Sequence, residues 1–422
     1  INMHFGKEQL TDIIKPGLHI SGNVDRLVAT EWWDVIKPRE ADKNKPANGI
    51  IQSGVSLQLQ VSSLDLLSQD FSDVALSILR PEKIWEFDLL SDNISGNIQI
   101  PVDRKNNKLI SFQLDKLELT PQKRFAGDGE TNRVNPADIP AIEGTAKEFV
   151  FNNMNLGEMY LKTNPIDNGL AVDQLSFSKE ALDINGSGNW LSTLSMDKSR
   201  FDINLHADNM ETMLTTFGYD ETPVKKGETE LNLMAEWMGS PMDFSLEKMN
   251  GTLDMKISKG QMLDLNPSAG RLFGLFSLQT LARRLTLDFS DIFGKGLAFD
   301  KIKGNFDIDN GNAYTNDLSM RGPSANVSIS GRTGLSEQDY DQIVTVTPQL
   351  SDNLPVAGVL LGPVGIGLGA VFYLAGQMFD SVHNSIDKLL SYQYTITGSW
   401  TDPVIEKIKK TNKDAQLSDA AG

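Results

Sequence analysis

The chain has 422 residues, 40% of them hydrophobic, a net charge of −17 and no cysteine. That length allows two or three globular domains or one large elongated one, and the ordinary hydrophobic content excludes a multi-span membrane protein. The absence of cysteine excludes disulfides and thiolate chemistry, while the acidic balance argues against nucleic acid and against charge-driven docking on anionic lipid head groups.

The chain starts at Ile1 without a charged-then-apolar leader, and is read as a fragment that omits any signal or anchor. Strands are expected around residues 4–10 and 18–24. Residues 31–36 (EWWDVI) make a short helical turn stopped by Pro38, and 38–48 a polar, Pro-bearing loop. Alternation of apolar and polar residues follows. Val55, Leu57, Leu59 and Val61 share one face, and Ser56, Gln58 and Gln60 the other. Period 2 marks a strand with one apolar and one wet face. Residues 94–100 and 110–114 continue the pattern, and 121–140 form a second polar loop.

Beyond residue 141 the alternation sharpens, at 201–207, 230–237, 243–247, 252–259, 305–309, 326–330 and 392–397. Gly-bearing turn signals at residues 185–188, 250–251, 259–260, 310–311, 321–323 and 330–332 separate the runs. The reading is a long antiparallel meander of roughly two dozen strands. Helices are few. Asp208 is placed to cap 209–217, which Gly218 ends, and 268–281 is amphipathic. Residues 354–379 carry no charge, but Pro355, Pro363 and six glycines argue against one straight spanning helix. That segment is expected to contact membrane as a hairpin or tilted helix, to plug an apolar conduit, or to be a buried core helix. Residues 381–410 hold a final helix and closing strand, and 411–422 a disordered tail.

An antiparallel sheet with one apolar face must cover it. A second sheet, closure into a lipid-facing barrel, or curling into a trough that holds acyl chains would each do so. Open sheets of this many strands curl or split, and aromatic girdles fit an 8% aromatic chain poorly. Chemistry is not evident. His4, His19, His206 and His383 are scattered, without metal-ligand spacing. The glycines of 365–369 lack a βαβ context for phosphate binding, and Asp307 and Asp309 fall on the wet face. No enzyme, cofactor or metal is expected.

The segment 271–405, with RLFGLFSLQTLARRLTLDFSDIFGKGLAFDKIKGNFDIDNGNAYTNDLSM, RGPSANVSISGRTGL, YDQIVTVTPQLSDNLPVAGVLLGPVGIGLGAV and YQYTITGSWTDPVI, resembles the C-terminal part of the YhdP family, within the AsmA-like group that also includes TamB. The resemblance implies an envelope protein of Gram-negative bacteria, anchored in the inner membrane and reaching through the periplasm to the outer membrane. It implies a mostly β fold: an elongated, twisted groove over 1–350 with an apolar interior, similar to bridge-like lipid transfer proteins. The implied partner is phospholipid, moved between the two membranes, and no nucleic acid. The groove lining would be Leu57, Leu59, Ile98, Ile100, Phe112, Ile203, Leu205, Leu231, Leu233, Phe244, Leu246, Leu253, Met255, Ile257, Phe306, Ile308, Val327, Ile329, Tyr394 and Ile396, although ordinary core packing uses the same alternation. The segment 351–380 would cap the groove or enter the outer membrane's inner leaflet through Val359, Leu360, Leu361, Val364, Ile366, Leu368, Val371, Phe372 and Leu374. A self-packed structural scaffold, or an outer-membrane protein assembly factor with a pairing strand edge, is the alternative.

Overall fold

The computed structural model describes residues 2–5, 18–29, 55–66, 69–81, 84–102, 109–120, 135–193, 196–218, 224–262, 297–349 and 391–408. The expected helices at 31–36 and 268–281, the loop 38–48, the apolar segment 351–380 with its nine membrane-contact residues, the helix expected after 381, and the tail 411–422 lie outside the described residues. Twenty strands are described and the chain is mostly β. It divides into two compact units. The first holds Ile1–Phe201 with the short returns Thr216–Gly218 and Met238–Asp243. The second holds Asp202–Thr215, Tyr219–Trp237 and Phe244–Gly422.

In the first unit, β1 (Asn2–Phe5), β2 (Leu18–Val28), β3 (Val55–Leu66), β4 (Gln69–Arg80), β5 (Ile84–Leu90), β6 (Ile94–Pro101), β7 (Ile110–Leu119), β8 (Ile142–Phe151), β9 (Met154–Ile166), β10 (Gly169–Lys179) and β11 (Leu182–Ser192) each pair with the next. The expected meander is interrupted three times, because β1–β2, β2–β3 and β7–β8 are parallel. Parallel neighbours need a long crossover, since the chain must return to the end where it began. In sequence, 38–48 falls between β2 and β3 and 121–140 between β7 and β8, and of these only 135–140 are among the described residues. Before β8 stands a 3₁₀ turn, Pro136–Asp138, whose cap Asn135 accepts from the Ala137 amide at 3.2 Å.

β12 (Asp197–Ala207) has its first residues in one unit and its last in the other. Next comes α1 (Met210–Thr216). Its first turn is capped by Asn209, whose side chain accepts from the Glu211 amide at 2.9 Å. The expected cap, Asp208, instead contacts His206 at 3.1 Å. Gly218, at φ +85, follows the helix, as a left-handed terminator should.

In the second unit each successive pair is antiparallel: β13 (Val224–Met238), β14 (Asn250–Met262), β15 (Leu297–Asp309), β16 (Asn312–Arg321), β17 (Ala325–Gly334), β18 (Asp339–Pro348), β19 (Tyr392–Ser399) and β20 (Pro403–Lys407). Asn310 and Gly311, at φ 45 and 72, make the hairpin turn between β15 and β16, both residues left-handed as a type I′ turn requires. Among the described residues neither ladder closes on itself, so each presents an open sheet.

Candidate functional site

Alternation in each strand collects the apolar side chains on one face, and the strand registers align them into rows. In the first unit one row crosses ten strands through directly paired residues: Ile20, Leu57, Ile78, Phe87, Ile98, Phe112, Gly144, Leu161, Leu175 and Gly186. The glycine at 144 does not interrupt it, because the Phe112 ring occupies the space a side chain there would take. Strands are about 4.8 Å apart, so an acyl chain lying across them would meet an apolar group at each step.

Burial along that row is uneven. Leu57 and Ile78 are buried, whereas Ile20, Phe87, Ile98, Phe112, Leu161 and Leu175 are half-buried. Mid-strand apolar groups beneath a well-packed second layer would lose nearly all their exposure. The row therefore retains accessible apolar surface. Of the expected lining, Leu59 is buried beside Leu57, and Ile100, opposite Trp85, is half-buried.

In the second unit, Thr229, Ile257, Ile302, Met320, Val327, Val346 and Tyr392 form a paired row across seven strands. Ile257, Ile302, Met320, Val327 and Val346 are all 1% exposed or less. Leu253, Met255, Phe306, Ile308, Ile329, Tyr394 and Ile396 are buried on the same face. Ile203, Leu205, Leu231 and Leu233 are half-buried. On β13 the last two lie between the buried Thr229 and Ala235 of the same face.

Phe244 and Leu246 do not belong to this face. The alternating run 243–247 is not a strand. It runs from the end of one 3₁₀ turn, Pro241–Asp243, into a second, Leu246–Lys248, with Phe244 between them, and Phe244 and Leu246 are exposed. Ser240 donates its amide and hydroxyl to the Asp243 carboxylate at 2.9 and 2.7 Å, which closes the first turn. A local side-chain acceptor thus wins over strand propensity. Phe244 sets its edge on the Trp237 ring, 5.0 Å away.

The opposite face is wet and charge-paired. Lys256 donates to Glu230 at 2.8 Å, which lowers the glutamate's pKa and raises the lysine's. Tyr160 donates to Glu143 at 2.8 Å, and Lys147 to Asp115 at 2.7 Å. His206, Glu228 and Glu230 bring ligand atoms within 4.8 Å of one another, a juxtaposition that their spacing in sequence does not announce. Glu230 is engaged by Lys256 and His206 by Asp208, so the trio reads as part of the wet face's charge pairing.

A curated relative, the "Intermembrane phospholipid transporter YhdP" of Escherichia coli (strain K12), is 24% identical over 298 residues, 68% of this chain. The match spans 22% of that relative's own length. No solved structure matches significantly. The YhdP protein family matches residues 2–405, and the chain belongs to it.

Proposed function

We propose that the chain holds phospholipid by its tails along the apolar rows and passes it between two membranes, inner and outer, through the periplasm. The observation that carries this reading is the unbroken row from Ile20 to Gly186, apolar at each position and half-buried at most of them. Membership of a family with a curated phospholipid transporter supports it. The physical need is plain. Exposing acyl chains to water costs about 0.8 kcal/mol per CH₂, on the order of 25 kcal/mol for two sixteen-carbon tails. A continuous apolar face keeps the tails dry while the head group stays in water. No bond is made or broken in this transfer, so direction must come from gradients or partners.

A photo-crosslinking residue at Ile98, within that row, with Asn97 as its neighbour on the wet face, tests the reading. Phospholipid attached at 98 and not at 97 is the expected result. Folded, abundant protein with lipid at neither position would overturn it. That result would favour a self-packed envelope scaffold, the alternative to which the buried positions Ile257 to Val346 of the second unit's row lend weight.

A further inference from the structure

The apolar face of the first unit carries a cation at its margin. On β4 every second residue lies on that face, and Val74, Leu76 and Ile78 are buried there. Arg80 is the next position of the same alternation, directly opposite Val55 of β3. It is half-buried, and its guanidinium carbon lies 5.2 Å from the centre of the Trp85 ring. Trp85 shares its face of β5 with Phe87 and Leu89, and stands directly opposite Ile100. With Val55 it packs against the cluster that holds Leu57 and Ile78.

A guanidinium is better hydrated on the wet face, where cations meet carboxylates as Lys147 meets Asp115. Among the described residues Arg80 has the Trp85 ring and no carboxylate. The indole brings a second polar group to the same place. Trp85 Nε1 is buried and has no hydrogen-bond acceptor, and a buried N–H left without an acceptor costs free energy. Cation and donor thus stand together on two strands whose face is otherwise apolar, and both call for an anionic oxygen.

The chemistry of the pair favours phosphate. A guanidinium holds phosphate through two parallel N–H bonds. Those bonds take both oxygens of a carboxylate, whereas a phosphate keeps further oxygens for the indole. Arg80 is two residues beyond Ile78, so it lies about 7 Å along the strand from the row that runs through Ile78 and Phe87. A tail on that row brings its own head group to this margin. Building on the tail-holding reading, we propose that Arg80 and Trp85 form a phosphate site, which takes the phosphate of a lipid whose tails lie along the row.

The test is calorimetric titration of the 422-residue chain with dihexanoylphosphatidylcholine, dihexanoylglycerol and inorganic phosphate. The two lipids share their tails and differ in the phosphate head group. That head group is zwitterionic, so the chain's net charge of −17 does not repel it. The parent is expected to bind the phospholipid at least about tenfold more tightly than the diacylglycerol, as one charged hydrogen bond allows. Arg80→Gln should abolish that preference while diacylglycerol binding stays unchanged, which also shows that the variant folds. Arg80→Lys keeps the charge, loses the fork and should retain part of the preference. Trp85→Phe keeps a ring under the cation, removes the N–H and should lower the preference about threefold or more. Lys147→Gln, on the wet face, should alter nothing. Equal affinity of the parent for both lipids, or a preference that survives Arg80→Gln, overturns the phosphate site and leaves the tail-holding reading standing. Inorganic phosphate bound as tightly as the phospholipid, and lost in Arg80→Gln, overturns the lipid assignment in favour of free phosphate. Binding of neither lipid, with none attached at Ile98, overturns the tail-holding reading and the site with it.

Discussion

Gly260 shows what glycine does in this sheet. It sits inside β14, directly paired with Phe299, and a Cβ built on it would lie 2.3 Å from the Phe299 ring. Phe299 is 2% exposed, so the ring has nowhere to move. A Cβ on Gly188 would lie 2.3 Å from the Arg200 carbonyl oxygen and 2.6 Å from the Phe201 ring. The missing side chain makes room for a neighbour's aromatic ring, and the pair fills the apolar face. Gly260→Ala is therefore expected to overpack the face and lower stability by about 1–3 kcal/mol. Urea unfolding followed by tryptophan fluorescence would read this as a lower midpoint; an unchanged midpoint would show that the ring is free to shift. The same glycines explain a misreading of the sequence. Gly186, Gly188, Gly251, Gly260 and Gly331 all lie within strands, although Gly next to Asn, Ser or Lys reads as a turn. Taking such sites as breaks turns long strands into pairs of short ones and raises the expected count. Nothing local distinguishes Asn310-Gly311, a true turn, from Asn250-Gly251, which opens a strand; the difference lies in what the neighbouring strand places over the glycine.

At the scale of elements, the wet and apolar faces of β3, β6, β7, β13, β14, β15, β17 and β19 were legible, because period 2 is a property of each strand alone. Pairing direction was not, because it depends on where a connection returns. Its one signal was length: the connections from Val28 to Val55 and from Leu119 to Ile142 are too long for hairpins and suit parallel crossovers. The segment after β13 failed for a different reason. Its residues alternate like a strand, yet Asp243 is better satisfied by folding back on Ser240. Phe244 then has one role, its edge contact with Trp237. Phe244→Ala should cost about 0.5–1.5 kcal/mol from that contact, while Leu246→Ala, at an exposed site, should cost much less. Thermal or chemical unfolding of the two variants would check the order. Lipid recovered per chain should be unchanged in both, and a loss on Leu246→Ala would return that residue to the lining.

At the scale of the molecule, the apolar side chains of each unit act as a row and not as separate residues. A row is as continuous as its worst position, because a tail lying across the strands must satisfy every step at once. In the first unit Ile98 stands between Phe87 and Phe112, half-buried with apolar groups on both sides. On the proposed reading an aspartate there would place a carboxylate against an acyl chain, and unpaired buried charge is strongly unfavourable. Asn97, next in sequence, donates to Asp88 on the wet face at 2.9 Å. On the proposed reading phospholipid co-purifies with the chain; Ile98→Asp is then expected to remove most of it, whereas Asn97→Asp should leave it in place, and mass spectrometry of extracted lipid measures both. Equal loss from the two would mean that the fold, not the face, had been damaged. Full retention by a folded Ile98→Asp protein would mean that tails do not lie along this row, and the half-buried positions from Ile20 to Leu175 would then need another occupant.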